Sequence, residues 1–300
     1  MDAAPEPSLY PLHRCKIVHL VRHAEGIHNI DGAQKDKRSP ELFDACLSPL
    51  GWEQVENLRE HVNACGLLKR IQLVIVSPLL RTMQTAAVAF GGDIQRNSIS
   101  ATPLMVENVK SEHAAVSSLN CPPFMAHELC RERLGINTAD RRRRISEYKN
   151  LFPTIDFSLV KSDDDIMWTP DVRESDEDLA ARGMRFLKWL WTRKEEEIAI
   201  VTHSAFLFCT LRKFGHDCHA SVKNEMCKFF ENCELRSLVL VDKGLVGSDA
   251  ATTNHLGKIP SGLGLARDLA DEKQECDGQQ QHGKTNLPSD LTDKKRESTN

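Results

Sequence analysis

Three short clusters in this chain carry residue types able to bind and transfer a charged group. Arg22-His23 comes first, Ser77 with Arg81 second, and His203-Ser204 third. A neutral imidazole holds a lone pair that can attack an electrophile. A guanidinium offers a planar fork of donors to an oxyanion. Two arginines and two histidines in one pocket need an anion to justify their proximity. Phosphate is the natural candidate, since helix N-termini add further amide donors to its oxygens. One imidazole would then be more than a clamp and would attack phosphorus directly.

Each cluster stands at the end of an apolar run, and these runs must position it. Ile17–Val21, Ile71–Val76 and Ile198–Val201 read as strands buried on both faces. A helix is expected after each. The first starts at Ser48-Pro49, with Ser as N-cap, Pro at the first helical position, and Val55, Leu58 and Val62 at helical spacing. The second spans Leu79–Phe90 and the third Ala205–Phe214. Ser175–Trp191 adds a helix with Leu179, Phe186, Leu187 and Leu190 on one face, and Leu235–Val241 a last strand. Asp31–Phe43 reads as an exposed loop, Glu107–Leu119 as a helix, and Pro123–Cys130 as a further strand. If the strands lie parallel and side by side, the clusters meet at their carboxyl ends, where open α/β sheets bind ligands. The expected fold is therefore a single α/β domain over 15–243, a mainly parallel sheet with helices on both faces. A flexible segment, 1–14, would precede it, and a polar, disordered tail, 244–300, would follow.

The bulk numbers narrow the partners. A formal net charge of −4 gives no whole-chain reason to expect nucleic acid or an acidic membrane. The N-terminus lacks the basic and apolar regions of a secretory signal, and no apolar run is long enough to span a bilayer. Ten cysteines are scattered without a CxxC pair, which fits reduced thiols in the cytoplasm or nucleus. The expected partner is a small phosphorylated substrate; the sequence is silent on oligomeric state.

The three clusters in this order resemble the histidine phosphatase superfamily, in the branch of phosphoglycerate mutase-like proteins. LVRHAEGIHN resembles its LVRHGxxxxN signature, SPLLRTMQTA its SxLxRxxQTA motif, and VTHSA its VxHG motif. ELCRERLG, RRRRISEY and FLKWLWTRKEEEIAIVTHS resemble the plant members, so the likeness covers about residues 15–242. Ala24 and Ser204 stand where the patterns usually have Gly. The resemblance implies that His23 is the nucleophile and that Arg22, Arg81 and His203 hold the phosphoryl oxygens. It further implies that Asn29 and the residue at Ser204 face the same group. No metal and no cofactor are expected, because the cationic pocket compensates the charge.

A carboxylic acid must protonate the leaving oxygen and later activate water. Glu132, at the expected strand end, is the preferred candidate and Glu128 the alternative; on a continuing strand both would share one face. Asn29 has the alternative of a local cap. The Arg141–Arg144 run reads as a solvated face or as a selector of acidic substrates. His216, Cys218, His219, Cys227 and Cys233 are too irregularly spaced for a metal site, and Trp189 and Trp191 read as helix packing. The expected activity is phosphomonoester hydrolysis through a phosphohistidine. A mutase-type transfer to phosphoglycerate and a phospho-ligand module without turnover are the rivals. A place in carbohydrate metabolism follows from the family resemblance alone.

Overall fold

The computed structural model describes residues 8–30, 36–92, 102–107 and 113–244. Five strands form one sheet in the order β3-β2-β4-β1-β5: β1 (Cys15–Arg22), β2 (Leu73–Val76), β3 (Phe124–Ala126), β4 (Glu197–Thr202) and β5 (Leu235–Val241). All neighbours are parallel except β5, which runs antiparallel to β1 along one edge. The helices are α1 (Pro49–Ala64), α2 (Leu80–Phe90), α3 (Ile145–Leu151), α4 (Asp176–Leu190), α5 (Ser204–Leu211) and α6 (Ala220–Cys227).

Period-two alternation sorts the strand side chains onto two cores. Val21, Val74, Val76, Ala199 and Val201 face one cluster, which takes Val55, Leu58 and Val62 from α1 and Met83 to Phe90 from α2. Val18, Leu20, Leu73, Ile75, Ile198 and Ile200 face the other, built with Leu179, Phe186 and Leu190 of α4 and Phe206 and Leu207 of α5. Each fully buried Val, Leu or Ile contributes roughly 1.5–3 kcal/mol. The central strands therefore hold their register firmly, and a one-residue slip would turn both cores out.

That register aligns the chemistry. Arg22 pairs with Thr202 and Val76 with Val201, while His23 N donates to Thr202 O and Ser77 N to Val201 O. The ends of β2, β4 and β1 are thus level on one edge of the sheet. Ser48 caps α1 by accepting from Gly51 N at 3.0 Å, as Ser48-Pro49 implied. A Cβ on Gly51 would come within 2.1 Å of Glu25 O, so the first turn of α1 can lie on the loop after His23 only with Gly there.

Several expectations change. The strand expected from Ile71 begins at Leu73, and α2 begins at Leu80 rather than Leu79, which is its N-cap. The expected strand Pro123–Cys130 ends at Ala126, because His127 Nδ1 accepts from Leu129 N and starts a 3-10 turn over Glu128–Cys130. The described part of Glu107–Leu119 is not helical; Met105 and Val116 form an isolated antiparallel bridge instead. Helix α6 was not foreseen. The N-terminal segment closes with a 3-10 turn at Leu12–Arg14, and Arg14 pairs with Asp242 at 2.9 Å. The tail from 245 and positions 31–35 of the expected loop lie outside the described residues. No disulfide joins the described cysteines, and no described helix is long and apolar enough to cross a membrane.

Candidate active site

His23 follows directly on β1 and is buried, its relative exposure 2%. Its Nδ1 lies 2.7 Å from Ala24 O; a carbonyl can only accept, so Nδ1 carries the proton. The Nε2 lone pair is left facing Arg81, whose Nε donates to it at 3.3 Å. Burial, followed by the charge of Arg81, holds the His23 pKa well below the usual imidazole value. A neutral ring with a directed lone pair is the form a nucleophile needs.

His203, after β4, meets the same guanidinium from the other side. Arg81 Nη2 donates to its Nδ1 at 3.3 Å, so its Nε2–H donates to Ser77 Oγ at 2.8 Å. The two imidazole centroids are 5.2 Å apart, edge to face. Burial first and Arg81 second push the His203 pKa well down too. Arg81 itself is fully buried in the first turn of α2, and its other donors reach Ala139 O at 2.6 Å and Asp140 Oδ1 at 2.9 Å.

Arg22, the last residue of β1, donates through Nη1 to Phe230 O at 2.7 Å, while its Nε is buried with no hydrogen-bond partner. A buried, unpaired guanidinium donor is costly unless an acceptor arrives. His28 adds a second such atom: its Nδ1 is buried without a partner, and its ring lies 5.6 Å from that of His23. Asn29 Oδ1 accepts from Gly26 N at 3.2 Å and from Asn232 Nδ2 at 3.4 Å, so its carbonyl serves the turn. Asn232 Nδ2 and Cys233 N both hold the His23 carbonyl. Neither Ala24 nor Ser204 has a left-handed backbone, so a Cβ is accommodated at both positions. The Ala24 side chain is buried and its N–H reaches Thr85 Oγ1.

The two carboxylate candidates part company. Glu132 Oε2 accepts from Ala205 N, in the first turn of α5, at 3.3 Å, and Oε1 from Arg133 N at 2.8 Å. Burial, then the charge of Asp140, raises its pKa, against the lowering by these N–H groups and Arg81. Glu128 sits on the 3-10 turn and binds Arg142 Nε at 2.6 Å and Arg131 at 3.5 Å. The shared face expected on a continuing strand does not exist, because the strand has already ended.

The arginine run is neither one solvated face nor one selector. Arg142 is buried on Glu128 and the carbonyls of 162–164, Arg143 pairs with Asp44, and Arg144 with Asp164. Arg141 lies over the rings of Phe43 and Trp168. Phe186 and Trp189 stack on each other, with His127 edge-on to the first and tilted against the second, as helix packing requires. His219 caps α6, Cys233 Sγ donates to Gln54 O, and among the described residues no group of three ligating side chains is gathered. His28, Asp140 and Asn232 escaped the sequence reading. His28 had a local signal beside Asn29; the other two are brought in by distant loops.

Comparison with known proteins accords with this arrangement. Residues 18–97 match the model of the histidine phosphatase superfamily (branch 1). The chain is 55% identical over 271 residues to Phosphoglycerate mutase-like protein 1 of Arabidopsis thaliana, spanning 89% of this chain and 96% of that one. The chain belongs to the histidine phosphatase superfamily. Within this superfamily it falls in the phosphoglycerate mutase-like branch. A second Arabidopsis thaliana relative, Phosphoglycerate mutase-like protein, is 58% identical over 260 residues, 85% of this chain and 96% of that one. Among solved structures, the ecdysone phosphate phosphatase from Bombix mori in complex with tungstate matches with a TM-score of 0.45 and 15% identity, covering 81% of this chain and 97% of that one.

Proposed function

We propose that the chain is a metal-independent phosphomonoester hydrolase that works through a phosphohistidine on His23. The observation that carries this reading is the fixed tautomer of His23. With Nδ1–H committed to Ala24 O, Nε2 carries the lone pair for attack, and Arg81 Nε–H donates to it until phosphorus takes it. In the first step the Nε2 lone pair forms a bond to phosphorus and the ester P–O bond breaks. The leaving oxygen takes the proton of Glu132, whose pKa is raised by burial and by the charge of Asp140, which favours the protonated form. As Nε2 becomes bonded, Arg81 Nε–H loses its acceptor and is left facing the new phosphoryl oxygens. Arg22 Nε and the remaining Arg81 donors spread over the same charge. In the second step Glu132 takes a proton from water, the water oxygen bonds to phosphorus, and the electron pair of the P–N bond returns to Nε2. Phosphate leaves and Glu132 is protonated again, so the cycle closes.

A cleft of about 880 Å³ beside this edge takes Phe43, Met105, Val106, Arg143 and Leu151 from the segments 31–43 and 105–160. Its lining includes Leu80, the neighbour of Arg81, but none of Arg22, His23, Arg81, Glu132 and His203, and we propose it as the place for the part of the substrate that is not phosphoryl. The names of the Arabidopsis relatives favour a second reading, in which the phosphohistidine returns its group to a bound phosphoglycerate. Hydrolysis of p-nitrophenyl phosphate with chelator present, in native chain and His23→Ala, is the test. Turnover that survives chelation, vanishes in the variant and leaves acid-labile phosphate on the native protein supports the hydrolase. Interconversion of 3- and 2-phosphoglycerate without net release would support the mutase. Phosphate binding with neither activity would leave a phospho-ligand module.

A further inference from the structure

Arg81 is not steered by its own helix. Its guanidinium is seated end-on against the 3-10 turn Thr138–Asp140, with Nη1 on Ala139 O and Nη2 on Asp140 Oδ1. The other Asp140 oxygen is taken by Arg173 Nη1 at 2.9 Å, and the same nitrogen bonds the carbonyls of Arg133 and Gly135. Arg131 Nη2 ties down the Asp140 carbonyl at 2.8 Å. The carboxylate is therefore fixed from two sides, and its side chain is only 6% exposed. A guanidinium that must aim Nε at one ring and Nη2 at another needs an anchor on its far edge, and this is the one present.

We propose that Asp140, anchored by Arg173, is a positioning residue of the phosphoryl site that orients Arg81 toward His23 and His203. This rests on the hydrolase reading. Orientation by an anion has a second effect. The carboxylate shares Nη2 of the very clamp that receives the phosphoryl oxygens, so its charge weakens the hold on free phosphate. Asp140 thus favours release of the product as well as alignment of the reactant. It also bears on the acid. Glu132 faces Asp140, Arg81 from α2, Arg22 from β1, Cys209 from α5 and the adjacent Arg133, besides the N–H groups of Arg133 and Ala205. Of these groups, Asp140 is the one whose negative charge opposes its ionisation.

The test uses the full chain, with inorganic phosphate as the calorimetric probe and p-nitrophenyl phosphate as substrate. Asp140→Asn removes the charge and keeps one oxygen acceptor, for Arg81 Nη2, while its amide nitrogen replaces the oxygen that accepted from Arg173. It is expected to bind phosphate on the order of tenfold tighter than native, and the alkaline limb of its kcat–pH profile should move to lower pH. Asp140→Ala removes the anchor and should lower kcat about 10- to 100-fold. Arg173→Met, which leaves the Asp140 carboxylate held on one side only, should give a smaller loss in kcat. Unchanged or weaker phosphate binding in Asp140→Asn overturns the proposal, as does native kcat in Asp140→Ala. If Asp140→Ala fails to fold, the Asp140→Asn affinity decides. A native chain that binds phosphate but hydrolyses nothing sinks the hydrolase reading, and the phosphate affinities still judge Asp140.

Discussion

Two groups of arginines at least half-buried in this molecule differ in what some of their donors face. Arg142 and Arg182 are saturated by fixed acceptors: Arg142 by Glu128 and backbone carbonyls, Arg182 by both oxygens of Glu174 and the carbonyls of Leu129, Arg131 and Glu132. Arg22 and Arg81 are only partly held by fixed acceptors, Phe230 O for the one and Ala139 O with Asp140 for the other; their remaining donors face the imidazole lone pairs of His23 and His203 or, at Arg22 Nε, no protein atom. Burial alone does not separate the two groups, since Arg81 and Arg142 are both fully enclosed. What separates them is whether the acceptor can change its bonding. A carbonyl keeps its lone pairs; His23 Nε2 gives its own up if phosphorus arrives.

The sharpest way to break that contrast is His23→Ala. It should reduce turnover by at least about 10^4-fold, while the urea midpoint moves little, because the ring mainly serves a changing partner. Arg182→Ala should do the reverse. Stripping Glu174 of its partner in the scaffold should cost about 3–5 kcal/mol in urea unfolding, with a loss in kcat per folded molecule far smaller than that of His23→Ala. Equal stability losses in both variants would erase the distinction. Glu132→Gln should lower kcat about 10²–10³-fold on an alkyl phosphate. The loss should be much smaller on p-nitrophenyl phosphate, whose leaving oxygen needs no proton.

The pH dependence of stability separates the two groups more gently. His23 and His203 have folded pKa values well below their unfolded value of about 6.5. Below that pH the unfolded chain binds more protons, so stability declines as pH falls through about 6.5 and continues down to the folded values. Asp165 and Glu174, paired with Arg131 and Arg182, have lowered pKa values. Their contribution is present above about 4.5 and is lost only as pH falls through their folded values. Urea titrations should thus show a first decline between about pH 6.5 and 4.5 that a neutral replacement of His203, such as His203→Gln, diminishes, and a second, lower one that it does not.

The parts of the site that were legible in the sequence are those fixed by contiguous residues. Strand, His23 and turn are one stretch; so are Ser77 to Arg81, and Ile198 to His203. Apolar runs with a polar cluster at the end announce both the strand and the edge on which it finishes. Glu132 is preferred over Glu128 from its place at the strand end, but their separation was not legible, because it turns on His127 Nδ1 accepting from Leu129 N, which ends β3 at Ala126. The four arginines at 141–144 could not be read as a run, since their backbone is extended and sends successive side chains to different partners. Asp140 and Asn232 gave no signal because only closure of the tertiary structure brings them to Arg81 and His23. The antiparallel sense of β5 escaped for the same reason: its apolar pattern is that of any strand.

One bond carries a regiochemical consequence. The contact from His23 Nδ1 to the Ala24 carbonyl, at 2.7 Å, blocks one of the two ring nitrogens as a phosphoryl acceptor. The modified side chain would therefore be a single positional isomer, with phosphorus on the nitrogen remote from the main chain. Isomer-selective antibodies, or the coupling of the ring protons to phosphorus in a spectrum of the trapped protein, would read that directly.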